Sequence, residues 1–207
     1  MADYINEVQK LYVAYFSRPA DKAGLDYWAN VLATNPNGYQ MISHEFSTSA
    51  EYKAEYGNMG NREVVNAVYQ HLFGRAGEAG GLDYWTPLLD KGQITIDNVV
   101  TQIAAGARDT DLFAYNAKVA VSTSFTSHLD LANEQKAYSG DHANSLAIQY
   151  IANVKDLSSA SAGMDPGAID AVISKIVADA GLATGFSGDT AQLVGVQDAH
   201  LAPPVYG

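Results

Sequence analysis

Five histidines, 23 carboxylates and a supply of serines are the side chains with which this 207-residue chain could do chemistry. The histidines are His44, His71, His128, His142 and His200. None pairs with another at helical i, i+4 spacing, and His44-Glu45 lacks the second histidine of a His-Glu-x-x-His zinc site. No Gly-x-Ser-x-Gly elbow surrounds a serine. Cysteine is absent, which excludes disulfides, thiolate nucleophiles and Cys-based zinc or iron–sulfur centres. Carboxylate pairs for glycoside hydrolysis meet in space and not at a fixed spacing, so the sequence assigns none. Asp109-Thr110-Asp111 offers two carboxylates to a calcium ion, and Asp130, Glu134, Asp141, Asp165 and Asp170 add more. Neither an EF-hand loop nor a Gly-Gly-x-Gly-x-Asp nonapeptide accompanies them. Asp109 and Asp111 are the metal candidates, with helix capping as the favoured role. No catalytic residue is assigned.

The strongest pattern is a repeat. Gly24-Leu25-Asp26-Tyr27-Trp28 returns unchanged as Gly81-Leu82-Asp83-Tyr84-Trp85, an offset of 57. At the same offset Tyr12 pairs with Tyr69, Phe16 with Phe73, Arg18 with Arg75 and Asp21 with Glu78. Downstream, Ile42 falls on Val99 and Phe46 on Ile103. Such a period marks one supersecondary unit used twice. Arg18 and Arg75 directly follow an aromatic helix end. A guanidinium there can pin loop carbonyls and suits the helix dipole, and we favour that reading over an anion site. Gly24 and Gly81 lack a phosphate-loop context, so they read as small residues that let helices approach. Trp28 and Trp85 lie on apolar stripes as core. Tyr27 and Tyr84 are rotated from them by about 100° on a helix, so a tyrosine can face solvent and stack on a sugar ring.

The elements that must position these residues are helices. Ile5, Val8, Leu11, Tyr12 and Tyr15–Phe16 fall at helical spacing. Pro19 ends that helix, and Asp21 is placed to cap the next through the amide of Ala23 or Gly24. Asn35-Pro36-Asn37-Gly38 is a turn, and a third helix is expected over about 39–55. Asn61 or Asn66 opens the second copy, with Pro87 expected in the first turns of a helix. Asp109 or Asp111 is expected to cap a long helix through Phe125, followed by helices over 142–156 and from Asp165-Pro166 to Gly181. The expected fold is all-α: tandem units at about 4–57 and 61–110 within residues 1–110, a further helical section over 111–181, and an irregular tail over 182–207. In that tail Phe186, Leu193 and Val194 are docking candidates and Pro203-Pro204 a stiff exit.

Composition bounds the partners. Hydrophobic residues make up 47% and the formal charge is −11, from 12 Lys plus Arg against 23 Asp plus Glu. That balance repels nucleic acid. It also repels anionic membranes or lipopolysaccharide unless divalent cations bridge the two. No uncharged apolar run is long enough for a transmembrane helix, so no membrane insertion is expected, and the acidic N-terminus does not read as a signal peptide.

Leu11-Tyr12, Phe16-Ser17-Arg18-Pro19-Ala20-Asp21, Gly24 to Trp28 and Phe46-Ser47-Thr48-Ser49-Ala50-Glu51-Tyr52 together resemble the bacterial family called domain of unknown function 4214. That family is itself similar to the phycobilisome linker domain. The second copy departs from the pattern at Ala76 and over Ile103 to Asp109, and the resemblance extends over about residues 5–180. It implies an extracellular setting, as in surface-layer and calcium-binding repeat proteins exported by type I secretion. The expected function is then a non-catalytic anchor on the bacterial surface. It would bind cell-surface polysaccharide or lipopolysaccharide, with Ca2+ as the implied ion. The alternatives are a self-assembly or linker module that binds copies of itself and, third, a polysaccharide-acting enzyme.

Overall fold

The repeat in the sequence is a repeat of helices. A computed structural model describes residues 2–182. In it α1 (Ala2–Phe16), α2 (Lys22–Thr34), α3 (Gly38–Thr48) and α4 (Ala50–Tyr56) recur as α5 (Asn61–Phe73), α6 (Ala79–Asp90), α7 (Ile96–Gly106) and α8 (Asp109–Ser127). Four more helices follow: α9 (Ala132–Ala137), α10 (Gly140–Ala152), α11 (Leu157–Gly163) and α12 (Pro166–Asp179). Among the described residues the fold is all-α, with no strand. The expectations for Phe186, Leu193, Val194 and Pro203-Pro204 lie outside the described residues.

Every residue from Leu11 to Asp21 is buried. A helix apolar on all sides belongs at the centre of a bundle, and α1 packs against α2, α5, α7 and α8. The larger core cluster joins both units to Ile151, Val154 and Ala160. A second cluster gathers Phe125, Leu129, Tyr138, Ala147, Ile169, Ile173 and Ile176. The 19-residue α8 enters both, through Tyr115 to Val121 in the first and Phe125 in the second.

Four local expectations differ, one being that the helix expected over 142–156 is α10, which ends at Ala152. The helix expected over 39–55 breaks at Ser49, whose extended backbone ends α3. Its hydroxyl donates to Phe46 O (2.7 Å) and accepts from Tyr52 N (3.1 Å), so it caps α4. Pro87 lies well inside α6 and not in its first turns, because α6 begins at Ala79 just as α2 begins at Lys22. Neither Asp109 nor Asp111 caps α8: the cap position is Arg108, and no side chain bonds there. By contrast Asp21 caps α2 as expected, accepting from Gly24 N at 2.7 Å.

The helix ends α1 and α5 terminate alike. Ser17 has φ 54° and Gly74, its equivalent, φ 68°. This left-handed conformation suits glycine and strains serine, and the Ser17 hydroxyl is buried without a partner. Ser17→Gly is expected to raise stability by about 0.5–1 kcal/mol, the strain relieved less the extra unfolded-state entropy. Urea unfolding midpoints of the two proteins check this.

Candidate functional site

The two hinges that follow α1 and α5 share one construction. Arg18 donates from Nε to Glu51 Oε1 (2.6 Å) and from Nη2 to Glu51 Oε2 (2.8 Å). Its Nη1 donates to Pro19 O (3.1 Å). Arg75 repeats this with Asp111, at 2.8 Å and 2.6 Å, and with Ala76 O at 3.1 Å. Each acid sits in the first turn of the unit's fourth helix, where the dipole favours a carboxylate. Each guanidinium lies near the equivalent rings, Tyr12 and Phe16 or Tyr69 and Phe73. These arginines pin loop carbonyls, as their spacing suggested.

The hinges differ in cover. Arg18 is fully buried, while the Arg75 side chain is 36% exposed. Over the first hinge, the Tyr138 hydroxyl donates to Pro19 O (2.7 Å) and Thr126 Oγ1 to Ala20 O (2.7 Å). Burial works against the Arg18 charge, yet Glu51 outweighs it and holds the guanidinium's pKa above its ordinary value. Burial raises the Asp21 pKa, opposed by Arg18 and by the Gly24 amide. Glu78 holds the cap position of α6 without a side-chain cap bond and lies 3.4 Å from Arg75.

The aromatic positions diverge in the same direction. Phe46 touches the rings of Tyr12, Tyr15, Phe16 and Trp28, with centroids 4.7–5.8 Å apart. Ile103 has no ring to offer at that place. Trp28 is therefore buried, whereas Trp85 is only half-buried. A side chain at Gly24 would strike the Tyr12 hydroxyl and the Asp21 carboxylate, and one at Gly81 the Tyr69 hydroxyl. The close approach is thus between each glycine and a tyrosine of the preceding helix. Tyr27 and Tyr84 are 37% and 61% exposed, each edge-on to its tryptophan at 4.7 and 4.8 Å.

The short helix α4 straps the units together. Glu51 reaches back to Arg18, and the Tyr56 hydroxyl shares a 2.7 Å hydrogen bond with His71 Nδ1 on α5. Burial, helped by the charge of Lys118, lowers the His71 pKa to about 4. Lys118 is buried and donates to the Ile151 and Ala152 carbonyls (2.7 and 3.0 Å), where the α10 dipole is negative. Its burial brings its pKa down to about 8. A cavity of about 80 Å³ is lined by Ser17, Glu51, Glu55, His71 and Ile148. Sequence reasoning missed Glu51, His71 and Lys118, for their roles come from contacts distant in the chain.

The metal candidates separate. Asp111 spends both oxygens on Arg75, and Asp109 opens α8 with a left-handed φ of 47°. Among the described residues, no three His, Asp or Glu side chains converge to hold a metal ion. No helix among them is long and apolar enough to cross a membrane.

A wider cleft of about 350 Å³ opens between the α3–α4 corner and the start of α7. His44, Ser47, Thr48, Tyr52, Lys53 and Ile96 line it, with Tyr56 and Gly57 at its end. The sequence flagged His44 only for the metal partner it lacks.

Two outcomes follow from the buried charges. Glu51→Gln leaves Arg18 buried and uncompensated and is expected to cost about 3–5 kcal/mol. Asp111→Asn frees the half-exposed Arg75 to rehydrate and should cost about 1 kcal/mol or less. Urea unfolding at neutral pH compares the two. Below pH 6.5 the unfolded chain binds a proton at His71 that the folded chain refuses until about pH 4. Stability should therefore decline between pH 6.5 and 4, by roughly 2 kcal/mol from this group. The slope should flatten in His71→Asn, measured by unfolding at stepped pH.

No curated protein and no solved structure matches the chain. Residues 43–109 match a family model described as "Domain of unknown function (DUF4214)". The match begins in α3, contains the second Gly-Leu-Asp-Tyr-Trp and ends at the first residue of α8. It is shorter than the resemblance read over residues 5–180. The part of this chain that is similar to the family of unknown function 4214 is thus the seam between its two units.

Proposed function

We propose that the protein is a non-catalytic anchoring module of a bacterial surface protein, gripping cell-surface polysaccharide or lipopolysaccharide from outside the cell. The observation that carries this reading is the repeated outward ring. Tyr27 and Tyr84 are exposed, and each is braced edge-on by a tryptophan. A braced aromatic face loses little entropy when a sugar ring stacks on it. Divalent cations such as Ca2+ would assist by bridging the chain's charge of −11 to an anionic glycan.

Purified protein should cosediment with lipopolysaccharide vesicles when calcium is present. Tyr27→Ala with Tyr84→Ala should weaken retention by about tenfold, or 1.4 kcal/mol, at unchanged thermal midpoint. Failure of the unaltered protein to bind with calcium overturns the reading. A second reading, self-assembly, is favoured by the open second hinge. The second unit leaves Arg75, Tyr84 and Trp85 at least partly exposed, residue types that dominate protein interfaces. Light scattering that rises with concentration, without any glycan, would support it over the first.

A further inference from the structure

We infer that the cleft between α3–α4 and α7 is a subsite for a sugar bearing an anionic group, a carboxylate or a phosphate. This rests on the polysaccharide reading above and names the chemistry the cleft would take. None of its eight lining residues is acidic, in a chain with 23 Asp and Glu. The reason lies in α4. Its two glutamates are drawn elsewhere, Glu51 to Arg18 and Glu55 to the side of His71, 3.8 Å from Nε2. That leaves Lys53 on the cleft side with no carboxylate partner among the described residues. His44 on α3 is exposed, lines the same cleft and offers a second N–H donor.

The hydroxyls supply the other half of the chemistry. Ser47 Oγ and Thr48 Oγ1 both donate to His44 O, at 3.0 and 2.9 Å. Their protons are spent within the helix, so the hydroxyls of these two lining residues are left as acceptors. Donors that suit an anion thus stand beside acceptors that suit sugar hydroxyls, with Ile96 as an apolar wall. The volume of about 350 Å³ is at the lower end of small-molecule sites, roughly 300–1,000 Å³. A free inorganic anion would leave the hydroxyl acceptors largely unused, and a neutral sugar would leave the Lys53 charge unmatched.

The test titrates the full chain with a galacturonic acid oligomer, glucose 6-phosphate, inorganic phosphate and glucose, read by amide NMR shifts. The first or second probe should move the His44, Thr48 and Lys53 signals and bind about tenfold tighter than glucose or phosphate alone. Which of the two does so separates carboxylate from phosphate. Lys53→Glu should abolish the shifts, and Lys53→Arg should keep them, both at unchanged thermal midpoint. Equal binding of glucose, equal binding of phosphate alone, or indifference to Lys53→Glu would each overturn the subsite. Retention on lipopolysaccharide that persists in Lys53→Glu but fails in the tyrosine variant sinks the cleft and spares the anchor. Cleft binding without vesicle retention sinks the anchor and spares the cleft.

Discussion

A guanidinium sealed from water dictates much of this architecture. Arg18 has no exposed surface, so its charge must be met inside the protein. Glu51 meets it with both oxygens, Pro19 O takes another donor, and the rings of Tyr12, Phe16 and Tyr138 close around it. These partners come from three separate parts of the chain. Satisfying one charge therefore fixes the α1 hinge, the start of α4 and the segment before α10 against one another. Asn144 adds a weaker bond to Glu51 from α10 itself, at 3.3 Å.

The second unit repeats the geometry under relaxed demands. Arg75 keeps its bidentate acid and its two rings but remains in contact with solvent. With Ile103 where the first unit has Phe46, Trp85 keeps its tyrosine neighbour but loses the phenyl ring that packs on Trp28. One unit is thus the anchored frame and the other the more open face. The difference follows from two features: a missing phenyl ring, and the hydroxyls of Tyr138 and Thr126, which bond the carbonyls of the first hinge.

Much of this was legible in the residues. The repeat named both arginines, both glycines and both tryptophans, and Arg18 and Arg75 do pin the carbonyls that follow them. Asp21 announced its cap because an Asx residue before a helix has few other uses. The acid partners were not legible. An offset of 57 from Glu51 lands on Arg108, and the second acid is Asp111, three residues on. The periodicity fails where α8 begins, so Asp111 looked like a cap or a calcium ligand. The break at Ser49 was missed because apolar spacing continues through it to Tyr52 and Tyr56, which are both buried. The cleft left no linear signal, since its walls come from α3, α4 and α7.

The long α8 connects all of this. Its first turn holds Arg75, Tyr115 donates to Lys10 O at the flank of α1, Lys118 secures the end of α10, and Thr126 reaches the first hinge. A fragment severed just before it would keep both Gly-Leu-Asp-Tyr-Trp segments yet bare the side of the central helix. The tandem pair is for that reason no free-standing module. Its two halves and the appended helices all bond to α8 and should melt as one cooperative body.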